Sequence, residues 1–136
     1  MIKIEIHTLE GILDIEIKKN GDYYFLIVIL SKSDYFKENG RAWNGKTKNE
    51  EKVWEITNLI KECYKNPSIP KWITINDGRL VMIGLKEDKS EINLIIKDSF
   101  EKGQIEIQLM EKMFDFVNEI IQDTFLKKCT LVFGNY

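Results

Sequence analysis

Apolar and polar residues alternate from the first residues of this chain. Ile2, Ile4 and Ile6 are interleaved with Lys3, Glu5 and His7. A period of two places alternate side chains on opposite faces of a strand, so this segment predicts a strand with one wet face. Leu9-Glu10-Gly11 is a turn signal, and Leu13, Ile15 and Ile17 then repeat the alternation against Asp14, Glu16 and Lys18. Asn20-Gly21 is a strong hairpin signal, because both residue types accept positive φ. Beyond it runs YYFLIVIL, Tyr23 to Leu30, apolar without interruption. Such continuity predicts a central strand buried on both faces. These tight turns predict a three-strand antiparallel meander.

Residues 31–48 are polar and carry Gly40 and Gly45, which reads as a long loop. Asn49 is placed to cap a helix through Tyr64, with Val53, Ile56, Ile60 and Cys63 on one face at helical spacing. Asn66-Pro67-Ser68-Ile69-Pro70 breaks the chain. Strands are then expected over roughly 71–75, 79–86 and 91–97, joined by Asn76-Asp77-Gly78 and by a turn near Glu87-Asp88-Lys89. A second helix is expected over 105–126, with Met113, Val117, Ile120 and Thr124 in one stripe. Cys129 to Phe133 is β-prone and reads as a last strand.

The two halves resemble each other. KVWEITNLI from Lys52 matches KMFDFVNEI from Lys112 in Lys, Asn and Ile, and in an apolar–aromatic–acidic–apolar succession between them. The segments before the helices, from Asp34 and from Asp98, also match. The expected fold is one α+β domain over residues 1–136: an antiparallel sheet of six to seven strands with two helices on one face. The expected order is β-β-β-α-β-β-β-α-β, an internal duplication with units of about 1–66 and 70–127. Units of this size are too small to hold separate cores, so the halves must share one.

Charge narrows the function. The 136 residues hold 20 basic and 22 acidic side chains, a net charge of −2. That balance argues against nucleic acid, which requires a basic face to neutralise phosphates. The longest apolar run is far below the roughly 20 residues a membrane helix needs. With no export signal at the N-terminus, a cytoplasmic location is expected, with Cys63 and Cys129 as free thiols. One histidine, His7, and two separated cysteines do not make a zinc site. His7 and the Asp14/Glu16 pair read as parts of a solvated sheet face, and no catalytic set or cofactor is expected. Trp54 is expected half exposed, and Trp72 to seal the join between the halves.

One motif speaks for chemistry. Gly40 to Thr47, GRAWNGKT, fits G-x-x-x-x-G-K-[ST], and over these eight residues it resembles the phosphate loop of P-loop NTPases. The resemblance implies that Lys46 reaches the β/γ-phosphates and that Thr47 binds Mg²⁺, with Asp98 as a second ligand. The surroundings oppose it. Ser31–Asn39 separates the motif from its strand, and the flanking strands read as antiparallel where a P-loop fold requires parallel ones. Trp43 obstructs close approach of backbone to phosphate, and Lys97 interrupts the apolar run before Asp98. The segment instead reads as a binding loop in which Arg41, Trp43, Lys46 and Lys48 project from a rigid scaffold, with no acid between Asn39 and Asn49.

The sequence therefore predicts a non-catalytic binding protein with a protein partner. Its most specific form is a small inhibitor or immunity-type protein of bacterial or phage origin. Glu5, Asp14, Glu16 and Asp22 would meet a basic toxin or nuclease. Alternatives are a nucleotide-binding enzyme or switch using 40–47, and a small anion- or ligand-binding module using Arg41, Lys46 and Lys48. An exposed edge strand would allow a homodimer.

Overall fold

The computed structural model describes residues 1–68, 79–97 and 104–134. The N-terminal alternation produces the expected strands, β1 (Ile2–Thr8) and β2 (Gly11–Asn20), paired antiparallel with Ile4 opposite Ile15. The turn between them needs Gly11, whose φ is +138°, and a side chain there would collide with the Lys32 carbonyl. β3 (Tyr23–Ser33) follows a tight turn in which Gly21 takes φ +65°. This is the positive-φ turn that Asn20-Gly21 signalled.

The segment expected as a loop is a strand. β4 (Glu38–Thr47) pairs with β3 along its length, with Trp43 opposite Val28 and Lys46 opposite Phe25. The reversal into it uses Lys37 at φ 56°, and Gly40, inside β4, takes φ 82°. Before its last residue, Thr47, β4 has no β-branched side chain; β3 supplies the hydrogen-bonding template, and tertiary pairing overrides weak local propensity.

Helix α1 (Glu50–Lys65) starts as expected, with Asn49 Oδ1 accepting from the Lys52 amide at 3.2 Å. Val53, Ile56, Ile60 and Cys63 are all buried. The expected strand 71–75, Trp72 and the turn 76–78 lie outside the described residues. β5 (Leu80–Glu87) and β6 (Ser90–Lys97) form the expected hairpin. β5 pairs with β1, so the six-stranded antiparallel sheet has the order β4-β3-β2-β1-β5-β6.

The second helix is two helices. α2 (Ile105–Ile120) ends at Ile121, and α3 (Thr124–Phe133) begins where Asp123 accepts from the Leu126 amide at 2.8 Å. The expected last strand over Cys129–Phe133 is therefore helical. Its β-prone composition is outweighed by burial of Leu126, Cys129, Thr130 and Phe133 at helical spacing. The described order is β-β-β-β-α-β-β-α-α, not two matching β-β-β-α units. Within the similar helix segments, Trp54 is 64% exposed while its counterpart Phe114 is 7% exposed.

The core lies between one sheet face and the helices. Ile2, Ile4, Ile6, Leu13, Ile15, Ile17, Leu26, Val28 and Leu30 meet Ile56, Ile60, Met113, Val117 and Phe133 there. α1 packs beside α2 and against β5 and β6, while α2 reaches β4. Gly45 permits that approach, since a Cβ on it would lie 2.7 Å from Ile120 Cγ2. α3 closes one end of the core. Phe125 stacks on Trp43 of β4, and the Phe133 carbonyl accepts from buried Arg79, just before β5, at 2.7 Å.

Candidate binding face

Of the four residues expected to bind from a loop, Arg41, Trp43 and Lys46 lie on the edge strand β4 and Lys48 follows its end, and strand alternation divides them. Arg41 and Trp43 face the helices. Trp43 is buried with its ring 5.9 Å from that of Phe125, nearly parallel to it. The Arg41 guanidinium lies 4.4 Å above the Phe125 ring and 3.4 Å from Glu38 Oε1. These two side chains fasten α3 to the sheet edge. Lys46 and Lys48 face the other way and converge on one ring, 4.7 and 5.0 Å from the centroid of Tyr23.

The phosphate-loop residues have structural uses of their own. Gly40 supplies a positive φ and Gly45 makes room for α2. Thr47 Oγ1 accepts from the Asn49 amide, shaping the entry to α1. The segment is extended and does not present the curled row of backbone N–H groups that cradles phosphate. Asp98 lies outside the described residues.

The strongest surface feature is the sheet face away from the helices, on which no described element packs. β3 is buried on one side only, not on both as its continuous run suggested. Leu26, Val28 and Leu30 enter the core, while Phe25, Ile27 and Ile29 are 38%, 42% and 38% exposed in a line. Ile95 on β6 is 64% exposed on the same face. Monomeric proteins seldom expose contiguous apolar stripes, and those that do generally use them for contact.

A polar cluster adjoins this stripe. Asp14 stands between Glu5 on β1 and Ile29 on β3. Its Oδ2 accepts from Ser31 Oγ at 3.1 Å, whereas its Oδ1 is buried without a partner. His7 Nε2 is likewise buried and unpartnered, 3.8 Å from Glu5 Oε2. Burial raises the Asp14 pKa above its ordinary 3.8; the Ser31 hydrogen bond works against this and the Glu5 charge adds to it. His7, Asp14 and Ser31 do not form a nucleophilic set, because the serine donates to the carboxylate rather than to the imidazole. Two buried polar atoms left unsatisfied beside an apolar stripe call for water or an incoming partner.

Glu5, Asp14 and Glu16 do share one face, as the strand pattern implied, and Lys3, Lys18 and Lys46 join them. Sequence reasoning placed the candidate binding residues in a loop, at Arg41, Trp43, Lys46 and Lys48, and did not single out Phe25, Ile27 and Ile29. Their signal was present: a strand apolar at every position has two apolar faces.

Cys63 and Cys129 are buried free thiols. Burial pushes their pKa up to about 12 and about 11, away from the thiolate that nucleophilic chemistry uses. Among the described residues, no helix is long and apolar enough to cross a membrane.

Compared with known proteins, the chain matches no family model, no characterised relative and no solved structure. Its class is the one its architecture defines: an α+β protein with a six-stranded antiparallel sheet and, among the described residues, helices on one face only.

Proposed function

We propose that this chain is a non-catalytic binding protein that engages a protein partner through the uncovered face of its sheet. The observation that carries this reading is the stripe Phe25, Ile27 and Ile29, partly exposed apolar side chains in a row on which no described helix or strand packs. The unpartnered Asp14 Oδ1 and His7 Nε2 beside it support the same reading. A small inhibitor or immunity-type protein of bacterial or phage origin is a specific form of this class. Glu5, Asp14 and Glu16 on the face would speed encounter with a basic toxin or nuclease.

Paired variants test the reading. Ile27→Asp charges the stripe, and Trp54→Asp charges an exposed apolar site on α1, away from the sheet face. A protein bound stoichiometrically by the wild-type chain, whether foreign or a second copy, should be lost with Ile27→Asp and kept with Trp54→Asp. Equal binding by both variants would overturn the proposal.

Lys46 and Lys48 converging on Tyr23 favour a second reading, a small anion or nucleotide held at the end of β4. Calorimetric titration with ATP addresses it directly. Heat that vanishes in Lys46→Ala would support it, and no heat with the wild-type chain would end it.

A further inference from the structure

The uncovered face carries a pattern that matches itself when reversed. Along β2 its side chains run Asp14, Glu16, Lys18, Asn20: two acids, a cation and an amide. Along β3 they run Ile29, Ile27, Phe25, Tyr23, apolar throughout. Two sheets laid face to face by a two-fold axis across the strands set each strand against its own copy with its direction reversed. Centring that axis between the rows of Glu16 and Lys18 has specific consequences. Glu16 of each copy meets Lys18 of the other, and Asp14 meets the Asn20 amide. Ile27 meets Phe25, and Ile29 meets Tyr23. A two-fold axis along β2 would instead set the apolar stripe of β3 on the charged residues of β1.

We propose that the partner seated on this face is a second copy of the chain, docked sheet to sheet with β2 on β2 and β3 on β3. This rests on the reading that the face is a docking surface and adds what docks there. The contact gives the unpaired Asp14 Oδ1 a donor in Asn20 Nδ2 and covers the apolar stripe with its own image. Aligned sheet packing of this kind tolerates a rotation of about 30° between the two strand directions.

The face approaches the size of a standard interface. Six strands about 4.8 Å apart and about 24 Å long span on the order of 700 Å². A stable interface of standard size buries about 800 Å² per partner. The charges bear on register as well as attraction, since sliding β2 by two residues would set Glu16 on Glu16 in one direction and Lys18 on Lys18 in the other.

Sedimentation equilibrium of the full chain over a wide micromolar concentration range tests this. The expected species has twice the 16.0 kDa mass of one chain. Ile27→Asp should be monomeric with an unchanged circular dichroism spectrum. Glu16→Lys and Lys18→Glu alone should each weaken the dimer at least tenfold, and the double variant Glu16→Lys/Lys18→Glu should recover most of that loss. A dimer untouched by Ile27→Asp, or a double variant no tighter than the single ones, would overturn this contact. A wild-type chain monomeric throughout would overturn the second copy as partner. If that monomer still bound another protein in an Ile27-dependent manner, the docking face would stand and only its self-pairing would fall.

Discussion

Val28 and Ile27 are neighbours on β3, both β-branched and apolar, yet Val28 is wholly buried while Ile27 is 42% exposed. The same division runs the length of the strand. Leu26, Val28 and Leu30 meet helices, whereas no described helix covers Phe25, Ile27 and Ile29. Strand geometry makes two faces, and this sequence made both apolar on β3. The core face follows from the chain's own need to fold. The second face has no such use, and exposing it invites association. The contrast therefore separates residues that hold the protein together from those available for something else.

Trp43→Ala should have the largest effect among the residues singled out on β4. It removes a buried ring stacked on Phe125, and losing about 3 kcal/mol or more in urea unfolding is the expectation. Unchanged stability with lost binding would move Trp43 from the core to the site. Gly45→Ala sharpens the same boundary. The new methyl would press on Ile120, costing about 1–3 kcal/mol, although Gly45 belongs to the phosphate-loop pattern. A neutral outcome would mean that α2 does not pack as closely on β4 as described.

Asp14→Asn probes the uncovered face and should stabilise the isolated chain. The Asp14 pKa is raised in the folded state, so its ionised form opposes folding at neutral pH. That penalty is full above the folded-state pKa and fades as pH falls through it, disappearing below the unfolded value near 3.8. The Asn variant keeps an acceptor for Ser31, so the stability gap should be widest at neutral pH and close in acid. A gap independent of pH would show that desolvation of the charge is not its source. The smallest effect concerns the thiols. Cys63 and Cys129 should resist iodoacetamide in the native protein at neutral pH and react only on unfolding, as mass spectrometry would record.

Much of the scaffold was legible. Ile2 to Ile17 declared two strands by period, Gly21 declared the hairpin, and Asn49 with Val53, Ile56, Ile60 and Cys63 declared α1. What escaped was structure set by partners distant in sequence. β4 looks like a loop because glycines, Asn and charges fill it, and only β3 alongside makes it a strand. Cys129 to Phe133 looks like a strand, yet the spacing of Leu126, Cys129, Thr130 and Phe133 is helical once Asp123 caps a new start. GRAWNGKT reads as a cationic binding loop, yet it is a strand, with Gly40 at a positive φ inside it and Gly45 leaving room for a helix to pack on an edge. The stripe of Phe25, Ile27 and Ile29 was misassigned, because continuous apolarity was taken to mean burial on both faces.

The division of β3 into two faces is tested most directly by urea unfolding of Val28→Asp and Ile27→Asp, measured at protein concentrations low enough to exclude association. Val28→Asp should lose about 4 kcal/mol or more, enough to leave much of the chain unfolded. Ile27→Asp should unfold within about 1 kcal/mol of the wild-type chain, with the same cooperativity. If Ile27→Asp collapsed as Val28→Asp does, the second face would be part of the core, and the account of it as a docking surface would be wrong.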